Sequence, residues 1–353
     1  MMDTLKCEPI EQDLPGWPHA QLVRLSDEEH GVRGTIHPAA GAEISSLEVR
    51  IGDRWQEILY GALDYSSTEP DGWGGRAPTL WPSVGHSYTE PQIARWKQTG
   101  IRPSSNQVCF GRSVFEVGEH GFVRGLNWEW KMNNSSQSCS VICAVASSET
   151  TKARYPFDFE LVVTYTLTGG SVLLRYEVIA GWNDTPMPFA IGNHIAFRLP
   201  FGSRGSFDSC MIRTPGRQIL CQDELCLLSG ETLQVDLSKE VLLANRRFCD
   251  LIIGGYQRAE TWFEVIDPAS LAVRLSHTEM TDGKTYHAQE TDSLFVLWGD
   301  PVLGYFCPEP WVGMPNSLNT RSGCVFLPPA ERFVWRVQVS PHRFHNVAQS
   351  LGD

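Results

Sequence analysis

The sequence has no apolar run of about 18 residues, the length that a membrane-spanning helix requires. Its first residues also lack the apolar core of a secretory signal, so we expect a soluble, cytoplasmic protein. Basic residues are in the minority, since 29 Lys and Arg stand against 41 Asp and Glu and give a formal net charge of -12. This balance disfavours nucleic acid and anionic membranes as partners. We expect a small-molecule ligand, bound by a monomer or a homodimer.

Several motifs of metal, phosphate and nucleophile chemistry are missing. The cysteines are scattered, without a Cys-x-x-Cys pair or the Cys/His spacing of a zinc site, so we expect reduced thiols, no disulfide and no metal. No Gly-x-x-x-x-Gly-Lys-Ser/Thr segment is present and no Gly-x-Gly-x-x-Gly segment opens a helix, which disfavours a nucleotide cofactor. The sequence also lacks a Gly-x-Ser-x-Gly elbow, so a serine nucleophile is not expected.

Helical periodicity is scarce, whereas apolar and polar side chains often alternate with a period of two. Segments 32–37 and 43–50 are predicted to form one hairpin, and 159–167 with 174–178 another. Segment 333–339 alternates in the same way. Many short strands without the spacing of βαβ units predict an all-β fold, a large antiparallel β-sandwich whose sheets pack face to face.

No linker, internal repeat or low-complexity tract divides the chain. We therefore predict a single domain, 1–353, in which residues 1–30 form a polar N-terminal lead segment. Residues 60–92 are rich in Gly, Pro, Ser and Trp and keep no regular period for long. Ordered loops of this length are usually functional.

One carboxylate stands out because its surroundings are apolar. Glu309 is the only charged side chain in 304–319, and it lies between Pro308 and Pro310, which restrict the backbone on both sides. Apolar neighbours such as Trp311 would raise the pKa of this carboxylate, as a general base for neutral pH requires. A glutamate that hydrogen-bonds nearby backbone in an ordinary loop is the alternative.

The remaining candidates are two histidines and two arginines. His194 lies in the apolar segment 187–197, while His120, Arg76 and Arg124 lie near predicted turns. A carboxylate and an imidazolium on opposite sides of a small ligand would form a base and acid pair. His194 as an ordinary core histidine remains the alternative. Tryptophans, which are otherwise core residues, could offer aromatic faces to a sugar ring: Trp81, Trp298 and Trp311.

Five segments together resemble the successive motifs of the aldose 1-epimerase (galactose mutarotase) family. They occur in the family's order and extend over most of the chain: Pro-Ala-Ala-Gly-Ala-Glu-Ile-Ser-Ser-Leu at 38–47, Gly-Arg-Ala-Pro-Thr-Leu-Trp-Pro at 75–82, His-Gly-Phe-Val-Arg at 120–124, Met-Pro-Phe-Ala-Ile-Gly-Asn-His-Ile-Ala-Phe at 187–197 and Phe-Cys-Pro-Glu-Pro-Trp at 306–311. The resemblance implies a β-sandwich with a sugar site in an open cleft. It also implies interconversion of α and β anomers without a cofactor or metal.

The resemblance also implies roles for individual residues. Glu309 would be the base and His194 the acid, with His120, Arg76 and Asp250 binding the sugar. We add Arg124 and Trp311 to the substrate-binding set from the composition of the turns and of the segment around Glu309.

The motifs depart from those of typical galactose mutarotases at two places. Gly75 replaces the usual Asn before the arginine, and Ile-Ala-Phe at 195–197 replaces a Thr-Tyr-Phe type sequence. Both departures resemble the divergent bacterial branch, so the substrate stays open. One alternative is a hexose-6-phosphate mutarotase, in which Arg76, Arg124 or Lys97 would hold the phosphate. Another is a sugar-binding protein on the same fold that does no chemistry.

Overall fold

The computed structural model describes residues 5–66, 73–134, 138–244, 248, 251–257, 261–279, 285–286 and 293–343. Strands dominate these residues. Their bounds are β1 Leu5–Leu14, β2 Trp17–Asp27, β3 Val32–His37, β4 Glu43–Ile51, β5 Arg54–Glu57, β6 Thr79–Leu80, β7 Gln107–Phe110, β8 Ser113–Glu116, β9 Glu129–Asn134, β10 Cys139–Ala146, β11 Phe159–Thr168, β12 Ser171–Ala180, β13 Met187–Phe189, β14 Ile191–Asn193, β15 Phe197–Arg198, β16 Met211–Arg213, β17 Gln218–Gln222, β18 Leu228–Gln234, β19 Val241–Leu242, β20 Leu251–Gly254, β21 Trp262–Ile266, β22 Ala272–Glu279, β23 Thr285–Tyr286, β24 Ser293–Asp300, β25 Tyr305–Val312, β26 Val325–Leu327 and β27 Arg332–His342.

Helices are short and few among the described residues. They are α1 Glu90–Thr99, α2 Glu149–Lys152 and α3 Ser317–Thr320, with 3-10 turns at Val123–Gly125 and Phe207–Ser209. Helix α1 begins after Thr89, whose side chain forms a capping box with Gln92, and ends at Gly100 in the left-handed conformation. No helix in the part of the chain that the structure describes has the length and apolar character to span a membrane.

The two predicted hairpins are confirmed. Strands β3 and β4 pair antiparallel, as do β11 and β12. The predicted lead segment is itself structured, because β1 pairs with β2 and β2 with β3. Strands β1 to β5 form one five-stranded sheet in chain order.

Two larger sheets form the body of the fold, which is the predicted antiparallel β-sandwich. One runs in the order β19-β16-β21-β22-β27-β12-β11-β10-β9, and the other in the order β18-β17-β20-β24-β25-β14-β6, with β15 also pairing with β25. Phe263 of the first sheet contacts Phe295 and Phe306 of the second, with ring centroids 5.5 and 6.2 Å apart. Apolar side chains therefore fill the space between the sheets.

Strand β27 shows how sequence alternation gives this core. Phe333, Trp335, Val337 and Val339 are at most 1% exposed, and Trp335 stacks on Tyr176 of β12. The predicted orientation of the strand is confirmed. Trp128 lies in the core just before β9 begins, while Trp130, on β9, is partly exposed.

We expect Trp335→Ala to lower the free energy of unfolding by about 3–5 kcal/mol, because it leaves a cavity beneath Tyr176. The control, Arg336→Ala, changes a side chain on the opposite face of β27. It should change the free energy of unfolding by less than about 1 kcal/mol. Urea unfolding followed by circular dichroism measures both. Equal losses in the two variants would contradict the assignment of the two faces.

Candidate active site

The segment that carries Glu309 is a strand, β25, and not an ordinary loop. It pairs continuously with β24, with Leu297 opposite Pro308 and Phe295 opposite Pro310. In an antiparallel pair, alternate residues point their backbone groups away from a given neighbour. Proline has no N–H to donate to a neighbouring strand. Pro308 and Pro310 therefore fit β25 only at positions whose backbone groups point away from β24. The strand therefore pairs fully on one side and is interrupted on the other.

The interruption places His194 beside Glu309. On that side, β14 pairs Ile191 with Val312, and β15 pairs Phe197 with Phe306, in one common register. This register sets His194, between the two short strands, opposite Glu309. The backbone N–H of His194 donates to the carbonyl of Pro78 instead, at 3.0 Å.

Glu309 and His194 are in direct contact. Nε2 of His194 lies 3.3 Å from Oε1 of Glu309, and the two side chains are 9% and 2% exposed. Trp311 donates its indole N–H to the other carboxylate oxygen, Oε2, at 3.1 Å. Trp73 donates its indole N–H to Nδ1 of His194, also at 3.1 Å. The sequence prediction that the two residues meet is consistent with this geometry.

Burial, with a smaller contribution from the positive charge of Arg124, lowers the pKa of His194 to about 3. The negative charge of Glu309 acts in the opposite direction. We take His194 as neutral at neutral pH, because the indole N–H on Nδ1 also requires that nitrogen to be unprotonated. The single ring proton is then on Nε2, facing Glu309. The raised pKa expected for Glu309 stays a prediction.

Gly192 allows Trp311 to reach Glu309. The two residues are directly opposite each other in the β14 and β25 pair. A Cβ atom at position 192 would lie 2.6 Å from Cδ1 of Trp311, closer than any side chain allows. The missing side chain therefore lets the indole lie against β14.

A His-Gly turn positions the second histidine. His120 and Gly121 both have positive φ, at 58° and 77°. The backbone N–H of Gly85 donates to Nδ1 of His120 at 3.0 Å. Burial, followed by the nearby His194 and Arg124, holds the pKa of His120 well below its usual value. A neutral His120 therefore carries its proton on Nε2 and can donate it to a ligand.

These side chains line a cavity of about 520 Å³, a size typical of small-molecule sites. His120, Arg124, His194, Glu309 and Trp311 all belong to its wall. The sequence-predicted residues that the structure brings together are thus five of the seven candidates. Trp298, predicted as a possible aromatic face, lines the cavity too and is 43% exposed.

Arg76 is the exception, and the structure corrects its assignment as a sugar-binding group. The side chain is 2% exposed and is not part of the cavity wall. Its Nε donates to Oε1 of Glu43 at 2.5 Å, and its Nη1 donates to backbone carbonyls, including that of Asp64 at 2.7 Å. A turn arginine and a sugar-binding arginine look alike in sequence, but this one is held by a buried ion pair.

The other sequence candidates lie outside the site or outside the described residues. Asp250 is among the residues that the structure does not describe. Trp81 is fully buried against Phe159 and belongs to the core, so it offers no face to a ligand. Lys97, the alternative phosphate ligand, lies on α1 and is not part of the cavity wall.

Several residues of the cavity wall were not predicted from the sequence. Trp73 lies in the Gly- and Trp-rich segment 60–92 that was recognised as functional, but no motif singled it out. Arg102 and Glu119 also line the cavity. Arg102 contacts Nε2 of His86 through Nη2 at 3.0 Å. The only sequence signal for Arg102 is its position shortly after α1, and the only signal for Glu119 is its position next to the His-Gly turn.

Comparison with known proteins agrees with this architecture. The sequence profile of the aldose 1-epimerase family matches residues 106–336. The chain belongs to the aldose 1-epimerase family. A relative in Lactococcus lactis subsp. lactis, protein LacX, is 25% identical over 285 residues, covering 79% of this chain and 84% of the relative.

Solved structures share the family's fold at low identity. A galactose mutarotase-like protein from Clostridium acetobutylicum has a TM-score of 0.72 at 16% identity, covering 97% of this chain and 99% of that one. A galactose mutarotase related enzyme from Lactobacillus acidophilus has a TM-score of 0.68 at 19% identity, covering 96% and 97%. A galactose 1-epimerase from the same species, strain NCFM, has a TM-score of 0.66 at 14% identity, covering 97% and 100%.

We expect Arg76→Ala to act on stability, because it leaves the Glu43 carboxylate buried without its partner. The free energy of unfolding should fall by about 3–5 kcal/mol. Arg76→Met combined with Glu43→Met removes both charges and should recover part of that loss. Chemical unfolding measures all three proteins. A stable Arg76→Ala variant with a raised KM for its sugar would restore the sugar-binding assignment.

Proposed function

We propose that the protein is a mutarotase, an aldose 1-epimerase that interconverts the α and β anomers of a hexose. The contact of Nε2 of His194 with Oε1 of Glu309, at 3.3 Å within the cavity, carries the proposal. A sugar hemiacetal group that enters between them would meet a proton acceptor on one side and a donor on the other. Membership of the family supports this choice of reaction.

The proposed reaction begins with the carboxylate. Glu309 removes the proton from the O1 hydroxyl, and the bond between C1 and the ring oxygen breaks as the aldehyde forms. The Nε2–H of His194 supplies the acid side by hydrogen-bonding the departing ring oxygen. A neutral imidazole that lost its only ring proton would become an imidazolate. We therefore assign the net proton transfer to Glu309, from O1 to the ring oxygen, with His194 neutral throughout.

Ring closure reverses these steps. Rotation about the C1–C2 bond presents the other face of the aldehyde, the hydroxyl formed from the ring oxygen attacks C1, and Glu309 transfers the proton of that hydroxyl to O1. Trp311, which donates to Oε2 of Glu309, holds the carboxylate in place. Fixed donors and acceptors about 3 Å from the reacting oxygens lower the barrier without paying to reorganise water.

The rest of the wall would recognise the sugar hydroxyls. The Nε2–H of His120 and the guanidinium of Arg124 are donors, and Glu119 is an acceptor in the same cavity. Trp298 can offer its indole to the CH face of the ring. The cavity thus combines a few convergent polar groups with aromatic surface, as small-ligand sites usually do.

A second candidate, a hexose-6-phosphate mutarotase, is favoured by one observation. Arg102 and Arg124 both line the cavity that contains Glu309. Two guanidinium groups could bind a phosphate on C6. The carboxylates of Glu119 and Glu309 in the same wall oppose the binding of a dianion, so we rank the free hexose first.

Polarimetry of freshly dissolved sugars tests both candidates. The approach of optical rotation to equilibrium should be faster with the protein than without it, either for a free hexose or for its 6-phosphate. Under the second candidate, Arg102→Ala should raise KM for the phosphate ester and not for the free sugar. If no sugar of either class is accelerated, a sugar-binding protein without catalysis becomes the better interpretation.

We expect Glu309→Gln to lower kcat by about 10²- to 10⁴-fold, because it keeps the shape of the side chain but removes the base. Sugar affinity, measured by calorimetry, should stay within a few-fold of native. Glu129→Gln, at an exposed position of β9, is the matched control for the same chemical change. Near-native mutarotation by Glu309→Gln would reject Glu309 as the base.

We expect neither His194 nor His120 to add a titration to kcat/KM around pH 6.5, where an ordinary histidine titrates. The low pKa of His194 keeps the imidazole neutral on both sides of this pH, and the pKa of His120 is lowered as well. The measurement is the rate of mutarotation against pH, corrected for the buffer-catalysed rate. A fall in rate above this pH that disappears in His194→Asn would show that the imidazolium is the acid.

A further inference from the structure

The two residues of the proposed proton transfer belong to a cluster of three potential metal ligands. Ligand atoms of His194, Cys307 and Glu309 all lie within 4.8 Å of one another. Cys307 and Glu309 are two positions apart on β25 and so share a face of the strand, with His194 opposite. One imidazole, one thiol and one carboxylate are the ligand types that Zn²⁺ takes in proteins. The acid and base chemistry does not itself need a thiol there.

Trp73 changes what this cluster can bind. Its indole has one N–H donor and no acceptor, and this N–H points at Nδ1 of His194 over 3.1 Å. Nδ1 must therefore present its lone pair to Trp73, and the proton of the neutral ring is on Nε2. A metal at Nε2 needs the lone pair of that nitrogen and a proton on Nδ1, which then usually donates to an acceptor. Trp73 offers a donor where an acceptor is needed.

We propose that the hydrogen bond from Trp73 to His194 closes the His194, Cys307 and Glu309 cluster to divalent cations such as Zn²⁺ and keeps the Nε2 proton in place for catalysis. Trp73 is thus a positioning residue. The side chains of the cluster could bind a metal ion or take part in proton transfer, and Trp73 favours proton transfer. This role rests on the proposed function, in which the Nε2 proton faces the sugar. In this role, Trp73 acts through its indole N–H and not only through the packing of its ring.

Other charged groups around His194 do not replace this effect. Glu309 and Cys307 face it from β25, and His120 lies beside it with ring centroids 5.3 Å apart. Arg124 acts on it through its positive charge, which disfavours cations whether or not Trp73 is present. A change at position 73 that leaves Arg124 intact therefore isolates the contribution of the indole N–H.

The test uses Trp73→Phe and Co²⁺, a spectroscopic substitute for Zn²⁺. Phenylalanine keeps an aromatic ring in the wall but has no N–H, so Nδ1 is free to carry the proton. We expect the variant to bind Co²⁺ about 10- to 100-fold more tightly than the native protein, the usual scale of a ligand's hydrogen-bond partner. A thiolate-to-cobalt charge-transfer band should accompany binding. Equal Co²⁺ affinity in the two proteins would overturn the proposal.

Two controls locate the effect. Trp298→Phe removes a different indole from the same cavity, one that donates to the hydroxyl of Tyr305 at 3.3 Å, and should bind Co²⁺ as the native protein does. Trp73→Phe combined with Cys307→Ser should lose the charge-transfer band, because it removes the thiol of the cluster. The partly exposed cysteines elsewhere are unchanged in this variant, so the loss would assign the band to Cys307. A band that persists in the double variant would place the metal at another thiol and reject the cluster.

A measurement on the native protein covers the case in which Trp73→Phe does not fold. Nitrogen-15 NMR of the imidazole rings in neutral buffer should show His194 protonated at Nε2 and unprotonated at Nδ1. A proton on Nδ1 would refute the hydrogen bond on which the inference depends. Neither experiment uses a sugar, so a protein that accelerates no mutarotation would refute the proposed function and leave both readouts interpretable.

Discussion

The site depends on one hydrogen-bonding constraint, the missing N–H groups of Pro308 and Pro310 in β25. Because neither residue can donate, the strand cannot continue its ladder toward β14 and β15, although both short strands keep one register with it. His194 falls in the interruption, opposite Glu309. A continuous ladder would bind both backbones to each other. The interruption frees the backbone around His194 to bond the segment near Pro78 and leaves the two side chains facing a cavity.

Burial of two polar side chains at this point has a cost that the neighbouring donors offset. A desolvated carboxylate without partners would be strongly destabilising. Glu309 is held at both oxygens, by His194 and by Trp311. Trp311 can lie in this position only because Gly192 has no side chain to collide with the indole. The hydrogen bond from Trp311 to the buried Glu309 side chain therefore depends on glycine at position 192 of the neighbouring strand.

Features that depend on the local pattern of residues could be predicted from the sequence. Features that depend on contacts between distant parts of the chain could not. The strands and the acid in an apolar segment follow from local alternation, and the family motifs identified Glu309 and His194. Arg76 was assigned to the sugar by its resemblance to the family motif, and no local pattern marks its ion pair with Glu43, which is distant in sequence. Trp73 was missed for the same reason, since its acceptor on His194 lies far along the chain. The strand that carries Pro308 and Pro310 was not predicted, because prolines are tolerated in a strand only where its neighbours leave their backbone groups unpaired, and those neighbours are distant in sequence.

Three N–H donors orient His194, His120 and Glu309 in the cavity wall. Trp73 assigns the His194 proton to Nε2, the backbone of Gly85 does the same for His120, and Trp311 donates to the carboxylate of Glu309. None of these donors titrates near neutral pH, so each keeps its proton and its orientation on both sides of neutral pH. Donors that are oriented before the substrate arrives need no reorganisation when charge develops on its oxygens. In the proposed mutarotation, ring opening moves one proton between two oxygens on the same carbon, and for such a short transfer a fixed set of donors matters more than a strong acid.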